Sequence, residues 1–358
     1  MTKETVTLYF RHGVSDKMYQ ATLAERGGGF IVEFAFGRRG NTLQTGLKTF
    51  TPLPFDEAKK IYDRLVREKM QKGYSAGTNG LPYSGTEIAQ RNTGILPQLL
   101  NAIDETLVES LIADPNFWMQ QKHDGKRVII QVGEKIVGIN RTGLTIGLPQ
   151  SIAGSAAEIG VSCIIDGEAV GEAFHAFDLI ALNGRDLRSS PYRDRHEKLF
   201  NLIGEGTGSI KFVETYCRQS EKGDAFDRLK RANAEGVVFK NCTAPYTPGR
   251  LASGGSQLKH KFVADGTFIV AGVNAGKRSI GLEIFNASGQ RQYVGNVTVP
   301  PNQKIPKVGA LVEIRYLYAF RVGCLFQPVL LGVRDDIDSS ACTTAQLKFK
   351  HEEDDDGE

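Results

Sequence analysis

The sequence predicts an α+β protein of several domains, and three observations lead to that prediction. Its 358 residues are too many for one ordinary hydrophobic core. The hydrophobic pattern changes along the chain, from strands with one helix, to strands alternating with helices, and then to strands alone. Residues 78–94 have the Gly, Ser, Thr and Asn content of a linker. We therefore expect domains over residues 1–77, 95–262 and 263–348, followed by an acidic tail over 349–358.

Composition limits the functions that the chain can have. With 41% hydrophobic and 24% charged residues the protein has the composition of an ordinary globular domain. No apolar run approaches the roughly 20 residues of a membrane span, so we expect no membrane partner. The five cysteines are scattered singly, which argues against a disulfide framework and a cysteine zinc site and indicates a reducing cytosol. We expect this to be the cytosol of a prokaryote or of a phage-infected host.

The first predicted domain is β-rich and contains one helix. Residues 6–10 and 30–36 are rich in β-branched and aromatic side chains, and three glycines at 27–29 indicate the turn before the second strand. From Asp56 onward apolar residues recur at helical spacing, with Lys and Arg between them. Asp56 is suited to be the N-cap and Gly73 to end the helix. The pattern therefore predicts a small domain of strands and one amphipathic helix.

The second predicted domain alternates between strands and helices. Residues 95–111 have the spacing of a helix that ends at Asp114-Pro115. Further strands are predicted at 128–132, 163–165, 174–180 and 236–239, and further helices at 193–203 and 222–233.

The third predicted domain consists of strands. We expect five of them, at residues 268–273, 280–285, 292–299, 311–318 and 327–331. Five strands in about 75 residues indicate a small barrel such as an OB-fold.

A series of short motifs runs in a fixed order through the middle of the chain. It begins with Lys122-His123-Asp124-Gly125, which has the form K-x-D-G. Because a lone K-x-D-G occurs often by chance, the later motifs are the stronger evidence. They are the element around Arg141 and Gly143, the D-G-E run of Asp166, Gly167 and Glu168, the aromatic strand with Phe177 and Asp178, the E-G-x-x-x-K run from Glu235 to Lys240, and Lys259-His260-Lys261.

Together these motifs resemble those of the covalent nucleotidyltransferases, which include DNA ligases, RNA ligases and mRNA capping enzymes. The aromatic strand most resembles that of cellular DNA ligases, and the resemblance covers roughly residues 96–336. It implies an ATP-grasp-like nucleotidyltransferase (adenylation) domain before the OB-fold. It also implies an ATP-dependent DNA ligase that seals 5′-phosphate/3′-hydroxyl nicks through a lysyl-AMP intermediate and an adenylated DNA end, in DNA repair or replication.

The resemblance assigns the nucleophile and its neighbours. Lys122 is expected to attack the α-phosphate of ATP. Because a lysine attacks only as the neutral amine, nearby cations and a bound metal are needed to favour that form. In the family the final lysines supply charge at the α-phosphate, so Lys259 and Lys261 are candidates for this role, with Lys240 close to them.

The resemblance also implies binding residues. Glu168 and Glu235 stand where the acidic residues of the family contact the ribose or hold Mg²⁺, an ion that prefers carboxylate oxygens. Arg141 and Arg334 are expected to contact phosphates of the DNA substrate. The nucleotide is expected to contact Gln120, Arg127, Glu168, Phe177, Lys240 and Lys259, with the ring of Phe177 stacked on adenine.

Two positions depart from the family pattern. Gln120 stands two positions before the lysine, where many ATP-dependent ligases have Glu and use it to read adenine. The last motif of the family, R-x-D-K, is present as Arg334-Asp335-Asp336-Ile337 and lacks its lysine. Since that lysine contacts the leaving pyrophosphate, self-adenylation is affected unless Lys348 or Lys350 substitutes.

The N-terminal domain resembles a WGR domain. Phe36-Gly37-Arg38-Arg39-Gly40 stands where the name-giving W-G-R is found, with Phe36 replacing the tryptophan, and Lys48-Thr49-Phe50 and Lys72-Gly73-Tyr74 follow at the expected spacing. Such domains contact DNA ends. The resemblance implies that Arg38, Arg39 and Lys48 contact DNA phosphates.

Other functions remain open at this stage. An RNA or DNA/RNA hybrid ligase shares the lysine chemistry, and a capping guanylyltransferase would carry GMP on Lys122. A DNA-end-binding protein with a weakened ligase core would account for Ile337. An NAD-dependent ligase is disfavoured, since the chain lacks the four-cysteine zinc module of that family. We expect a monomer whose partners are ATP, Mg²⁺ and duplex DNA with nicks or ends.

Overall fold

The computed structural model describes residues 3–12, 15–39, 41–49, 51–71, 74–76, 83–84, 91–321 and 323–350. Several predicted features lie outside the described residues: most of the linker, residues 351–358 of the acidic tail, Gly40, Phe50, Lys72 and Gly73. Apart from two tail residues, the chain forms two compact units, Met1–Gly223 with Val238–Lys259 (unit 1) and Asp224–Val237 with His260–Asp356 (unit 2). No helix among the described residues is both long and apolar enough to cross a membrane.

Unit 1 begins with a five-stranded sheet and one helix. Its elements are β1 (Lys3–His12), β2 (Ser15–Arg26), β3 (Gly29–Arg38), β4 (Gln44–Leu47), α1 (Phe55–Gln71) and β5 (Ser75–Ala76). The strands are antiparallel in the order β4-β3-β2-β1-β5. The helix packs Ala58, Tyr62 and Leu65 onto Leu8 and Val32 of the sheet, because these apolar residues repeat along one face. The two predicted strands and the helix are confirmed, but the helix begins at Phe55, so Asp56 lies in its first turn and is not the N-cap.

The rest of unit 1 holds the predicted nucleotidyltransferase motifs. Its elements are β6 (Tyr83–Ser84), β7 (Asn101–Ala102), α2 (Val108–Ala113), β8 (Phe117–Gln121), β9 (Lys126–Val132), β10 (Val137–Asn140), β11 (Thr145–Ile146), β12 (Leu148–Pro149), α3 (Gln150–Glu158), β13 (Cys163–Val170), β14 (Ala173–Leu182), β15 (Arg185–Asp186), α4 (Tyr192–Ile203), β16 (Gly206–Thr207), β17 (Ile210–Phe212) and β18 (Thr215–Tyr216). The strands predicted at 128–132, 163–165 and 174–180 lie in β9, β13 and β14, and the helix predicted at 193–203 is α4.

Three elements cross the division between the units: α5 (Gln219–Arg231), β19 (Gly236–Asn241) and β20 (Gln257–Lys261). Two sheets carry the motifs, one in the order β11-β10-β9-β13-β14-β17-β16 with β15 on β14, the other in the order β18-β8-β19-β20-β7. A short pair joins β12 to β6. The apolar core of unit 1 lies around β9, β13, β14, α3 and α4.

The helix predicted over residues 95–111 is wrong for most of its length. Only a short 3-10 turn at Glu105–Leu107 and α2 are helical, although the end before Asp114-Pro115 is correct. Residues before them bond to other segments instead: the Leu99 N–H donates to the Gly249 carbonyl, and the Ile103 N–H to that of Lys259. These long-range hydrogen bonds, together with Pro97, outweigh the helical spacing of the apolar residues.

Unit 2 contains an antiparallel five-stranded sheet. Its strands are β21 (Ala264–Val273), β22 (Ser279–Phe285), β23 (Arg291–Thr298), β24 (Leu311–Tyr316), β25 (Tyr318–Ala319), β26 (Leu325–Phe326) and β27 (Val329–Arg334), followed by 3-10 turns at Ser339–Ala341 and Thr344–Gln346. The order is β23-β22-β21-β24-β27, with β25 and β26 as a separate pair. The five strands predicted for this region are confirmed with small shifts at their ends. Its core is apolar and includes Phe268, Ile314 and Tyr316.

Within unit 1 the N-terminal sheet is joined to the motif-bearing region by two threonines. The Thr42 hydroxyl donates to the carbonyls of Ala169 at 3.3 Å and Gly171 at 3.1 Å. The Gly147 N–H donates to the hydroxyl of Thr45 at 2.9 Å. Both threonines are buried. The loop before β4 and β4 itself therefore pack on the ends of β13 and on the segment before β12.

Candidate functional site

Lys122 lies directly after β8, at the start of the turn to β9. Its Nζ atom is 3.4 Å from the carbonyl oxygen of His123, and the side chain is half-buried. The ring of His123 stacks on that of His175 with centroids 3.8 Å apart. Burial is the main reason that the pKa of His123 falls to about 3 and that of His175 to about 4. The predicted nucleophile is therefore next to a pair of neutral imidazole rings.

The glycine of K-x-D-G is required by its close contact with β13. A Cβ atom at Gly125 would lie 2.3 Å from the carbonyl oxygen of Ala169. Backbone atoms at that distance cannot give way, so a larger residue would move the turn that carries Lys122. The position of Gly125 in the first motif is thus fixed by its contact with the end of β13, the strand that carries D-G-E.

The aspartate of D-G-E has a structural partner. Asp166 is fully buried and accepts hydrogen bonds from Arg127 Nε at 2.6 Å and Nη2 at 2.8 Å. It also accepts one from the Tyr246 hydroxyl at 2.6 Å. Burial alone would lower the pKa of Arg127, but the attraction and hydrogen bonds of Asp166 outweigh it and raise that pKa. Sequence reasoning placed Arg127 on the nucleotide and missed this bidentate pair.

The ring of Phe177 lies beside two cations. Lys240 Nζ is 4.1 Å from its centroid and Arg127 Cζ is 4.4 Å from it, which are cation–π distances. Lys240 is buried, and this burial lowers the pKa of its amine to about 7 in spite of the opposing charge of Asp178. The Lys240 amine is thus held against the Phe177 ring, away from water.

Glu168 lies on β13, where its backbone faces Arg127 of β9 on one side and His175 of β14 on the other. Its charge contributes to the raised pKa of Arg127. Lys259 lies on β20 and is half-buried. The structure therefore brings Glu168 together with Arg127, while Arg141 lies on the turn after β10 with its side chain exposed.

Glu235 and Lys261 pair with each other in unit 2. Lys261 Nζ is 2.9 Å from Glu235 Oε1 and donates to Gln327 Oε1 at 3.0 Å. Gly236 follows with a φ of +154°, and a Cβ there would lie 2.1 Å from the His260 carbonyl oxygen. The glycine of E-G-x-x-x-K is thus required so that β19 can approach the strand that carries K-x-K.

The last predicted motif, Arg334 to Ile337, contains an ion pair between two of its own side chains. Arg334 Nε donates to Asp336 Oδ1 at 2.8 Å, and Nη2 bonds the second carboxylate oxygen. Lys348, a candidate substitute for the missing lysine, donates its amine to the Phe262 carbonyl, and burial lowers its pKa to about 8. Lys348 therefore already has a structural role within unit 2.

The N-terminal sheet carries aromatic rings with cations over them. Lys48 Nζ lies 5.6 Å from the centroid of Phe34, and Arg39 Cζ lies 4.9 Å from that of Tyr9. Phe36 is 38% exposed and packs beside Phe34. The side chains of Arg39 and Lys48 are exposed and that of Arg38 is half-buried. Lys69, which sequence reasoning missed, lies 4.0 Å from the ring of Tyr19.

Around Gln120 the structure assembles residues that the motifs did not indicate. They are Tyr192 and His196 of α4, Val213, and Thr215 of β18, which pairs with β8. Each is remote from Gln120 in sequence, so the only available signal was the strand pattern around residue 120. Among the described residues no three His, Cys, Asp or Glu side chains form a metal-binding group.

Two family models match the chain. Residues 171–261 match the ATP dependent DNA ligase domain, and residues 4–80 match the WGR domain. The resemblances to ATP-dependent DNA ligases and to WGR domains are thereby confirmed.

The curated relatives include DNA ligases. A DNA ligase of Halorubrum lacusprofundi is 25% identical over 261 residues, which are 58% of this chain and 42% of that protein. The multifunctional non-homologous end joining protein LigD of Mycolicibacterium smegmatis is 28% identical over 278 residues, 60% of this chain and 35% of that protein. This chain thus spans less than half the length of these two relatives.

One solved structure supports the fold, and a second is reported beside it for its similarity alone. The chain titled Pmar-Lig_PreS3 aligns with a TM-score of 0.51 at 17% identity and covers 75% of this chain and 71% of that one. A mycobacterial DNA ligase D complexed with ATP and MES aligns with a TM-score of 0.43 at 21% identity, covering 70% and 98%. The protein has a mixed α and β structure with a small β-rich N-terminal region and a ligase-like nucleotidyltransferase fold.

Proposed function

We propose that this protein is an ATP-dependent DNA ligase that seals 5′-phosphate/3′-hydroxyl nicks in duplex DNA through a lysyl-AMP intermediate. The observation that carries the proposal is the convergence of separate motifs around one turn. Gly125 of K-x-D-G contacts the backbone of Ala169, which follows D-G-E. Arg127, just after the turn, pairs with Asp166 and lies over the ring of Phe177. Residues distant in sequence thus meet where Lys122 is presented.

The chemistry assigned to Lys122 is nucleotidyl transfer. Its neutral amine attacks the α-phosphorus of ATP, a P–N bond forms, and the bond to pyrophosphate breaks. AMP then passes to the 5′ phosphate of the nick and leaves when the 3′ hydroxyl attacks that phosphate. The stacked imidazoles of His123 and His175 lie next to Lys122 in this turn, and the buried Lys240 lies against the ring of Phe177.

The carboxylates of the site suit Mg²⁺. This ion is usually held by one or two carboxylates together with substrate phosphates, so a group of three protein ligands is not required. Glu168 and Glu235 are the residues that would hold it, and Glu235 would exchange its ion pair with Lys261 for the metal. When bound, Mg²⁺ supplies positive charge to the phosphates of ATP.

We further propose the domain boundaries given by the sequence: a WGR-like domain over 1–77, an adenylation domain over 95–262 and an OB-fold over 263–348. The five antiparallel strands of unit 2 support the OB-fold. Arg38, Arg39, Lys48 and Arg141 are proposed to contact DNA phosphates, which provide most of the salt-dependent affinity for DNA.

Labelling tests the ligase reaction. Incubation with α-labelled ATP and Mg²⁺ should place AMP on Lys122, as mapped by mass spectrometry of peptides. Lys122→Ala should lose the label and, on an unadenylated nick, all sealing. A folded protein that takes no label, or a Lys122→Ala variant that seals with ATP, would contradict the proposal.

A salt series tests the N-terminal DNA contacts. Because Thr42 and Thr45 tie β4 to the rest of unit 1, deletion of the domain would also disturb the adenylation region, and single charge removals are cleaner. Lys48→Ala and Arg39→Ala should each weaken nick binding and reduce the slope of log K against log salt by about 1. The exposed Lys135, in the turn between β9 and β10, serves as a matched control in Lys135→Ala. Equal slopes in all three variants would exclude these contacts.

One observation favours a second candidate, a DNA-end-binding protein with a weakened ligase core. Arg334 is bonded to Asp336, and Ile337 stands in place of the lysine that contacts pyrophosphate. Supplying a pre-adenylated nick separates the two. Sealing of that substrate without labelling by ATP would indicate a core that has lost only its first step.

A further inference from the structure

The turn between β13 and β14 is contacted by two segments that are far apart in the sequence. The first is Gly125, where a Cβ atom would come within 2.3 Å of the Ala169 carbonyl oxygen. The second is Thr42, in the connection between β3 and β4 of the N-terminal sheet. Its hydroxyl oxygen is 3.3 Å from the same carbonyl oxygen and 3.1 Å from that of Gly171. The Ala169 carbonyl is therefore shared by the N-terminal sheet and the turn that carries Lys122.

The backbone ladder between β13 and β9 stops just short of Lys122. Its last pair joins Ala169 to Lys126, the first residue of β9. The residues before Lys126 form a turn, and within this turn Gly125 packs on the Ala169 carbonyl. Because Gly125 follows Lys122 closely in this turn, a displacement of the carbonyl is passed on to the segment that presents the lysine.

The Thr42 hydroxyl holds the end of β13 in place. β13 and β14 are joined by a two-residue connection, Gly171 and Glu172. The single hydroxyl proton is shared between the carbonyls of Ala169 and Gly171, as in a three-centre hydrogen bond. Thr42 is only 5% exposed, so water has little access to replace it. Without this hydroxyl the two carbonyls would lose a donor, and the connection would shift to find another.

Thr45 makes a comparable contact that does not involve this connection. It is also buried, and its hydroxyl accepts a hydrogen bond from the Gly147 N–H at 2.9 Å. Gly147 lies between β11 and β12. Both threonines thus join the N-terminal sheet to the rest of unit 1, but the carbonyl that Thr42 contacts is also the one against which Gly125 packs.

We propose that Thr42 is a positioning residue for the adenylation of Lys122, because its hydroxyl holds the β13–β14 connection against Gly125. The inference rests on the proposed nucleotidyl transfer. In that step the Lys122 amine forms a P–N bond to the α-phosphorus while the bond to pyrophosphate breaks, and the amine loses a proton to water. Such an attack needs the reacting atoms about 3–3.5 Å apart and aligned, and a misplacement of about 1 Å can cost about 100-fold in rate. The N-terminal sheet is thereby a part of the adenylation site.

The test is a single-turnover measurement of AMP labelling on the full chain, with α-labelled ATP and Mg²⁺ and without DNA. Thr42→Val keeps the branched shape and removes the hydroxyl. We expect the rate constant at saturating ATP to fall about tenfold, because the lysine is misplaced. The ATP concentration that gives half of this rate should stay as in the wild type. Thr42→Ser keeps the hydroxyl and should keep the wild-type rate constant.

Two controls separate positioning from a general structural effect. Thr45→Val removes the comparable contact and should leave the labelling rate constant unchanged. On a pre-adenylated nick AMP is already attached to the DNA, so Lys122 is not the nucleophile and Thr42→Val should seal at the wild-type rate. An unchanged labelling rate in Thr42→Val, equal losses in Thr42→Val and Thr45→Val, or an equal loss on the pre-adenylated nick would each overturn the inference. A change confined to the ATP requirement, or an equal loss in Thr42→Ser, would do the same.

If circular dichroism shows that Thr42→Val does not fold, Thr42→Ala and Thr45→Ala are compared in the same way, with the same expected results. A folded wild-type protein that takes no label from ATP would contradict the proposed function and the inference together. A labelled wild type with an equally labelled Thr42 variant would contradict the inference alone.

Discussion

Ion pairs are buried around the motifs of unit 1 and exposed on the sheet of unit 2. Asp178 and Arg195 in unit 1 are each 1% exposed at the side chain and are joined at 2.8 Å. Asp265 and Arg315 in unit 2 are also joined at 2.8 Å but are 38% and 48% exposed. The two ion pairs have the same N–O distance and differ in their exposure to solvent. A charge taken out of water must be fully paired, whereas an exposed pair contributes little.

The difference shows what each region uses its polar residues for. In unit 1 the pairs Arg127–Asp166 and Arg195–Asp178 orient side chains and strands next to Phe177 and Lys240. The core of the unit 2 sheet is apolar instead. The pair of Glu235 with Lys261, 4% and 25% exposed, is a more buried pair among the described residues of unit 2, and both residues belong to motifs. These three buried ion pairs thus lie within or beside the motifs of the proposed site.

The largest expected effect comes from breaking a buried pair. Asp178→Asn leaves the guanidinium of Arg195 without its counter-charge and should lower the free energy of unfolding by about 3–5 kcal/mol. Urea denaturation followed by circular dichroism measures this. If Asp178→Asn lowers the free energy of unfolding no more than the loss of the exposed pair in unit 2 does, burial does not distinguish the two regions.

A second, smaller loss is expected at the buried Lys222. It is fully buried, and its amine donates to the carbonyls of Leu111, Asp114 and Phe117 at 3.0, 2.7 and 2.8 Å. Lys222→Met fills the same space but leaves these carbonyls unpaired, which should cost about 1–3 kcal/mol. The same denaturation measurement applies, and the exposed Lys198→Met is the control. If Lys222→Met leaves the free energy of unfolding unchanged, water has replaced the amine as the donor to these carbonyls.

A third effect is a dependence of stability on pH. Burial lowers the pKa of His123, His175 and His196 to about 3, 4 and 4. Between about pH 4 and 6.5 the unfolded chain therefore binds protons that the folded protein does not, and stability is lost as the pH falls through this window. His175→Phe keeps an aromatic ring for the stack and removes one such group. The variant should reduce the slope of the free energy of unfolding against pH by about 1 kcal/mol per pH unit. Identical slopes in the wild type and the variant would contradict a lowered pKa of His175 in the folded protein.

The smallest effect is expected at the exposed pair. Asp265→Asn should change the free energy of unfolding by about 0–1 kcal/mol, because water screens this pair. The change should disappear at 1 M salt. A loss that is large and independent of salt would show that exposure does not distinguish the two regions.

The sequence predicted the parts of the fold that depend on local pattern. The helix α1 and the strands of unit 2 follow from periodicity, and the motif glycines follow from close backbone contact at Gly125 and Gly236. The prediction over residues 95–111 was wrong because its backbone groups bond to distant segments. The hydrogen bond between Gln120 and Thr215 could not be predicted, since it depends on packing between residues 95 positions apart. The assigned roles of individual site residues stay predictions.

The hydroxyls of Thr42 and Thr45 constrain how this protein can be recombined with others. They satisfy the carbonyls of Ala169 and Gly171 and the N–H of Gly147. A chimera in which a different module replaces the N-terminal sheet would leave these backbone groups without their partners. An exchangeable module must therefore bring two hydroxyls at matching positions, and a simple fusion through a flexible linker would not reproduce these native contacts.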